Sequence, residues 1–252
     1  MEHKNGAIIT GGSERLGREM ACALAKRGYA VACSWRSNQH GAEETVALIE
    51  RAGGKAISFQ WDAAAVHGSQ QELFESLSTA LGASVTVLVN NASFFEPSSL
   101  ANVTFAHVLD NFQVHLFAPM FLGQGFYQFL QAHDSTGGHM INICDQRIYQ
   151  LSKTRAAYEL SKKSLAEFTR MAALTFADRM RVNSISPGPI LRATTESDEE
   201  FRRLIERYTP LGRQGSAQHC VAALEFLLQC DFIHGSDIPV DGGEHLVGRA
   251  NA

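Results

Sequence analysis

The sequence predicts a single α/β domain, a doubly wound parallel sheet with helices on both faces. Two observations carry this expectation. Short β-branched runs alternate with longer amphipathic stretches from one end of the chain to the other, the pattern of strand–helix–strand units. The first run leads at once into a glycine-rich turn that opens a helix, Thr10-Gly11-Gly12-Ser13-Glu14-Arg15-Leu16-Gly17. At 252 residues, 45% hydrophobic and 19% charged, the chain is long enough to bury one substantial core, and the domain is expected to span residues 1–252.

Strands are expected, in order, at Ala7 to Thr10, Ala30 to Ser34, Lys55 to Gln60, Val85 to Val89, His139 to Cys144, Arg181 to Ile185 and Asp237 to Val240. Helices fill the intervals. In the first, Leu16, Met20, Ala23 and Leu24 share one face; in a later one, Leu160, Ser164, Phe168 and Met171 do the same. No internal repeat or interdomain linker interrupts the pattern. One strongly charged segment, Glu196 to Arg207, follows a natural hinge at Pro187, Gly188 and Pro189. It reads equally well as a lid within a substrate loop of about residues 189–213 or as a solvated helix face.

Bulk properties exclude several classes. A net charge of -4 supplies no basic field of the kind nucleic acid requires. The longest apolar stretches, such as Val85 to Val89, fall far short of the ~20 residues that cross a bilayer, and the start MEHKNGAIIT has no long apolar signal core. A cytoplasmic protein is expected. The cysteines Cys22, Cys33, Cys144, Cys220 and Cys230 include no C-x-x-C pair and read as buried thiols in a reducing compartment. The histidines form no ligand spacing, so no metal is expected.

The glycine-rich turn points to a dinucleotide. Glycines there let the backbone approach a pyrophosphate, and the helix N-terminus behind them offers N–H groups and a positive dipole. Gly11, Ser13, Arg15, Leu16 and Gly17 are the candidate contacts. After the second strand, Ser34-Trp35-Arg36-Ser37 offers a guanidinium and hydroxyls where a cofactor lacking a 2′-phosphate calls for a carboxylate. Arg36 and Ser37 therefore favour NADP(H). Further along, Tyr158 and Lys162 stand four residues apart, on one face of one helix. A cation beside a phenol stabilises the phenolate and brings an unreactive tyrosine towards working pH.

With these motifs in order, from Ala7 to Gly243, the chain resembles the short-chain dehydrogenase/reductase family, which implies a Rossmann-type fold. By that resemblance Asp62 contacts adenine, Asn91 and Ala92 lie along the cofactor, Lys162 also holds the nicotinamide ribose, and Pro187-Gly188 flanks the nicotinamide. Three departures stand out. Asp145 occupies the place, thirteen residues before Tyr158, where most of the family has a serine; Arg15 replaces a glycine of the turn; and Asn90-Asn91-Ala92-Ser93 replaces N-N-A-G, followed by Phe94-Phe95-Glu96-Pro97. His115 stands where a helix usually carries an asparagine supporting a proton relay. Asn111, one turn earlier, is the other candidate.

Together the departures look like the pteridine reductases and dihydromonapterin reductases of the same family. The resemblance implies hydride transfer from NADPH to a C=N bond of a 7,8-dihydropterin of the dihydromonapterin, dihydrobiopterin or dihydrofolate type. Tyr158 would donate the proton, with Asp145 orienting the ring, Phe95 stacking on it, and Ser93 and Arg15 meeting its polar edge. One rival is a reductase of ketones or 3-oxoacyl thioesters that tolerates Asp145; another is a non-catalytic NADPH-binding sensor or scaffold. The resemblance further implies a homotetramer, formed by pairing helices around Phe105 to Leu130 and Ala156 to Phe176.

Overall fold

Strands read as near-continuous apolar runs when both faces of a sheet are covered, and Ala7, Ile8 and Ile9, like Val31, Ala32 and Cys33, have no exposed surface. In the computed structural model, which describes residues 4–192 and 197–247, the strands are β1 (Asn5–Ile9), β2 (Ala30–Trp35), β3 (Lys55–Gln60), β4 (Ser84–Asn90), β5 (Gly138–Ile143), β6 (Met180–Pro187) and β7 (Asp237–Val240). All pair in parallel, in the order β3-β2-β1-β4-β5-β6-β7. Every expected strand forms, with ends within two residues of expectation. The order reverses between β1 and β4, and a crevice opens there at the strands' carboxyl ends.

Helices α1 (Arg15–Lys26) and α2 (Gln39–Arg51) pack on one face, and α3 (Gln71–Leu81), α4 (Phe105–Phe112), α5 (Ala118–Ala132) and α6 (Ala156–Phe176) on the other. Beyond the sheet's middle come α7 (Asp198–Tyr208), α8 (Ala217–Gln229), which joins the first face, and the short α9 (Glu244–Val247). Met20, Ala23 and Leu24 of α1 are buried, with Leu16 packed against them, as their spacing requires. Helix α6 departs from expectation. Leu160 and Met171 are 48% and 63% exposed, whereas Tyr158, Ser161, Lys162, Leu165 and Thr169 face the core. Two stripes of that helix can be buried, and the one bearing polar atoms wins because the site lies under it.

Helices α4 and α5 are joined without a break by one π turn, Gln113–Phe117. Pro119, in the first turn of α5, lacks the N–H that a regular α pattern would direct at the carbonyl of His115. A π turn absorbs that mismatch. In the charged segment, Ser197 and Glu200 form a capping box that starts α7, whose first turn is acidic. Only Ile205 and Tyr208 of α7 are buried. From Ser197 onward the segment is thus a helix with a solvated charged face, and Glu196 lies outside the described residues.

Candidate active site

At the switch point, the turn after β1 and the loop after β4 are tied together. The Thr10 hydroxyl accepts from the backbone N–H of Asn91 and of Ala92 at 2.9 and 3.0 Å, and the Asn91 amide donates to the carbonyls of Thr10 and Gly11 at 3.0 and 3.1 Å. Asn91 therefore holds the turn's shape with the amide expected to lie along a cofactor. Gly17 is required by contact: a Cβ there would fall 2.1 Å from the Gly11 carbonyl oxygen. Gly11 itself has φ +65°, in the region glycine adopts without strain.

These elements border a groove of about 330 Å³ lined by Gly11, Ser13, Arg15, Leu16, Gly17, Arg36, Ser37, Asp62, Asn91, Ala92 and Ser93. Eleven sequence-chosen residues thus converge on one cleft. Trp35, Asn38, Trp61, Val114 and Leu191 also line it; only their places at or after the ends of strands or on the π turn put them there. Arg36 is exposed, and its guanidinium forms no ion pair among the described residues. Asp62 accepts from the N–H of Ala64 at 2.9 Å, capping a short 3-10 turn. Pro187 and Gly188 sit apart at the end of β6, where Gly188 N donates to Val240 and a Cβ would lie 2.5 Å from the Asp241 side chain.

Arg15 is a backbone outlier. Its φ of 51° is left-handed, a conformation that costs a residue with a Cβ of order 1–2 kcal/mol. Its guanidinium donates to the Arg192 carbonyl at 2.8 Å, reaching the segment after β6. Strain kept at a turn that lines the groove points to a role for that side chain.

Outside the residues that line this groove, Tyr158 Oη donates to Asp145 Oδ2 at 2.7 Å, while the Arg147 backbone N–H donates to Asp145 Oδ1 at 2.8 Å. Asp145 is both the cap of a 3-10 turn, Gln146–Tyr149, and the partner of the phenol. Lys162, 2% exposed, donates to the Ile143 carbonyl at 2.7 Å, and its Nζ lies 5.8 Å from the Tyr158 ring centroid. Burial lowers the Lys162 ammonium below its ordinary range.

The expected lowering of the phenol by Lys162 is not found. Burial, then the Asp145 carboxylate, pushes Tyr158 well above the usual phenol range, and the cation that opposes this is Arg147. The physical reason is geometric: the Lys162 ammonium donates to the Ile143 carbonyl and stands 5.8 Å from the ring centroid, whereas the Asp145 carboxylate accepts a hydrogen bond from the phenol itself. A phenol held in this way keeps its proton at working pH. Arg147, two residues past Asp145, went unnoticed in the sequence; it pairs at 3.4 Å with Glu159, which is buried and also accepts from Ser152.

Phe95 meets Tyr158 edge-on, with ring centroids 4.8 Å apart. The Arg155 guanidinium lies 3.9 Å over the Phe95 ring and donates to its carbonyl, and Arg147 lies 5.4 Å from the same centroid. The expected stacking platform is thus partly covered by protein cations. His115 is 1% exposed and reaches Ser161 through Nδ1 at 2.9 Å and Ser93 through Nε2 at 3.1 Å. Asn111 spends its amide on the His107 carbonyl, whereas His115 reaches Ser93 of the groove. The thiols of Cys33, Cys144 and Cys220 are pushed up to about 12 by burial and are inert.

A family model described as Enoyl-(Acyl carrier protein) reductase matches residues 12–245. Among solved structures, the chain is similar to FolM Alternative dihydrofolate reductase 1 from Brucella canis, complexed with NADP. The TM-score is 0.89 and the identity 30%, covering 97% of this chain and 96% of that one. An uncharacterized oxidoreductase of Methylorubrum extorquens is 32% identical over 94% of this chain and 96% of its own length. 3beta-hydroxysteroid dehydrogenase 1 of Eggerthella lenta is likewise 32% identical, covering 95% of this chain and 93% of that protein.

Proposed function

The chain belongs to the short-chain dehydrogenase/reductase family and is an NAD(P)-dependent oxidoreductase, and from that premise we propose that it reduces a 7,8-dihydropterin to the tetrahydro form. The observation that carries the proposal is the 2.7 Å bond between Tyr158 and Asp145. A carbonyl needs only a donor, which a serine supplies; a pterin edge also offers amino and ring N–H groups, and a carboxylate accepts from those. Similarity to the Brucella FolM reductase supports the same substrate class.

NADP(H) is the cofactor, as in that neighbour. The residues fit it: a turn whose glycines permit close approach, and an exposed Arg36 just past β2, where the sequence Ser34-Trp35-Arg36-Ser37 holds no carboxylate. When bound, NADPH supplies the hydride. Arg36 and Ser37 would hold the 2′-phosphate, Gly11, Ser13, Leu16 and Gly17 the pyrophosphate, Asp62 the adenine, and Lys162, Pro187 and Gly188 the nicotinamide end. Tyr158 passes its proton to a ring nitrogen, and Asp145 keeps the phenol protonated and oriented until it does.

NADPH oxidation by the purified protein tests this directly, with dihydromonapterin, dihydrobiopterin and dihydrofolate set against an acetoacetyl thioester. Turnover of a dihydropterin is expected, and Asp145→Ser should lower it far more than it lowers NADPH affinity. Turnover of the thioester alone would select the carbonyl-reductase reading, which the steroid dehydrogenase relative keeps alive; none on any substrate would select the sensor reading.

We further propose a cytoplasmic homotetramer. No helix among the described residues is long and apolar enough to cross a membrane. Phe105, Leu109, Leu160, Met171 and Leu174 are exposed on the helices whose pairing is expected to build the tetramer. Size-exclusion chromatography is expected to give four times the mass of the chain.

A further inference from the structure

His115 sits on the π turn between α4 and α5, directly behind Ser93. Four polar groups meet around its ring. Nδ1 is 2.9 Å from Ser161 Oγ, whose hydroxyl is 2.8 Å from the Tyr158 carbonyl. Nε2 is 3.1 Å from Ser93 Oγ and 3.4 Å from the backbone N–H of Phe94. Burial, aided by the Lys162 ammonium, holds His115 well below the usual imidazole range, so the ring is neutral and carries a single N–H.

Only one placement of that proton satisfies every group. With the proton on Nδ1, the ring donates to Ser161 Oγ, Ser161 donates to the Tyr158 carbonyl, and Nε2 accepts from Ser93 and from Phe94. With the proton on Nε2, Ser161 must turn its hydroxyl to Nδ1 and abandon the Tyr158 carbonyl, and the Phe94 N–H faces another donor. The Phe94 amide breaks the tie because a backbone N–H cannot rotate its proton away. Ser93 therefore spends its own proton on His115 Nε2 at 3.1 Å rather than on the Phe94 carbonyl at 3.5 Å, and the oxygen of this groove-lining residue is left with lone pairs only.

We propose that His115 is a positioning residue that fixes Ser93 as an obligate hydrogen-bond acceptor, so that the site selects a substrate presenting an N–H donor at this edge. The inference rests on the dihydropterin reading and deepens it. A pterin carries such donors in its amino and ring N–H groups, whereas the reacting end of a ketone or thioester has acceptors alone. A nicotinamide carboxamide is a second possible source of an N–H here, and the test separates the two.

The experiment combines a tautomer measurement with a kinetic cycle. Nitrogen NMR of the histidine-labelled protein is expected to show His115 protonated at Nδ1, and a proton on Nε2 would overturn the proposal. Ser93→Ala and His115→Phe, the latter keeping an aromatic ring against Phe94 and Tyr158, are each expected to raise KM for dihydromonapterin about 10-fold. The loss should fall mainly on KM for the dihydropterin, with smaller changes in kcat at saturation and in NADPH affinity. The double variant should be no worse than Ser93→Ala alone, because His115 acts through Ser93, and His115→Asn should recover most of the loss by offering an oxygen to Ser93 and an amide to Ser161. Additive losses, or failure of His115→Asn to recover KM where the protein is folded by circular dichroism, would make His115 merely structural. A loss confined to NADPH affinity would move the donor to the carboxamide and overturn the substrate half. Absence of wild-type turnover on any dihydropterin would defeat the function reading and its substrate half, while the tautomer would still decide the His115–Ser93 arrangement.

Discussion

The two walls of the crevice are built on different principles. On the β1–β4 side the pyrophosphate would meet a turn set by Thr10, Gly11, Gly17 and Asn91, so tight that one added Cβ would lie 2.1 Å from a carbonyl oxygen. On the β5–β6 side they are side chains spread over a network, with Asp145 on Tyr158, Lys162 on Ile143, and Arg147 on Glu159. The first wall offers donors and close approach, which suit any dinucleotide. The second fixes protons, and so carries the choice of reaction and substrate. Variants on the two walls should therefore separate cofactor affinity from turnover.

The largest separation is expected from Tyr158→Phe. The ring contacts with Phe95 and His115 are kept while the proton is lost, so kcat should fall on the order of 10²- to 10⁴-fold. NADPH affinity, followed by fluorescence titration, should change less than about twofold. Equal losses in both would mean that the phenol serves the cofactor wall instead.

Arg36→Ala should give the converse result. Losing a charge-assisted contact worth about 1.5–3 kcal/mol is expected to cut the preference for NADPH over NADH by about 10- to 100-fold, leaving kcat at saturation unchanged. The measurement is kcat/KM with each cofactor. An unaltered preference would move phosphate recognition away from the end of β2.

The backbone wall was readable from the chain itself because its signals are local. Seven strands and the turn follow from periodicity and from glycines in one short run, and the strand ends lie within two residues of those expected. The side-chain wall was readable only where a motif spans one helix, as with Tyr158 and Lys162. Ser93 and Ser161 meet His115 across 22 and 46 residues, and no spacing rule joins them. The pull on the phenol escapes the sequence for a related reason: helical spacing places Lys162 near Tyr158 but does not say that the ammonium donates to the Ile143 carbonyl. In α6 the apolar stripe through Leu160 and Met171 was visible, yet periodicity does not tell which face meets the sheet.

A subtler test of the second wall lies in pH. Burial and then the Asp145 carboxylate raise the Tyr158 phenol; an amide at that position neither repels the phenolate nor demands the proton. Asp145→Asn should thus lower the phenol's pKa. Since the proton donor must be neutral, the alkaline limb of the kcat/KM profile should move to lower pH, by about one unit or more. A limb that stays in place would mean that burial alone holds the phenol up.

The smallest effect probes the first wall's one irregular residue. Arg15→Gly and Arg15→Ala both remove the guanidinium and its bond to the Arg192 carbonyl, so turnover should fall alike in the two. They differ only in the backbone. At φ 51° alanine keeps the left-handed strain and glycine relieves it, while glycine frees the unfolded chain more; relief of about 1–2 kcal/mol against an entropy of about 0.4–1 kcal/mol leaves glycine the more stable by roughly 1 kcal/mol. For a chain of this size that is a melting difference of about 2–4 °C. Equal melting temperatures would show that the turn carries no strain at Arg15, and the case for a ligand-directed role there would then rest on turnover alone.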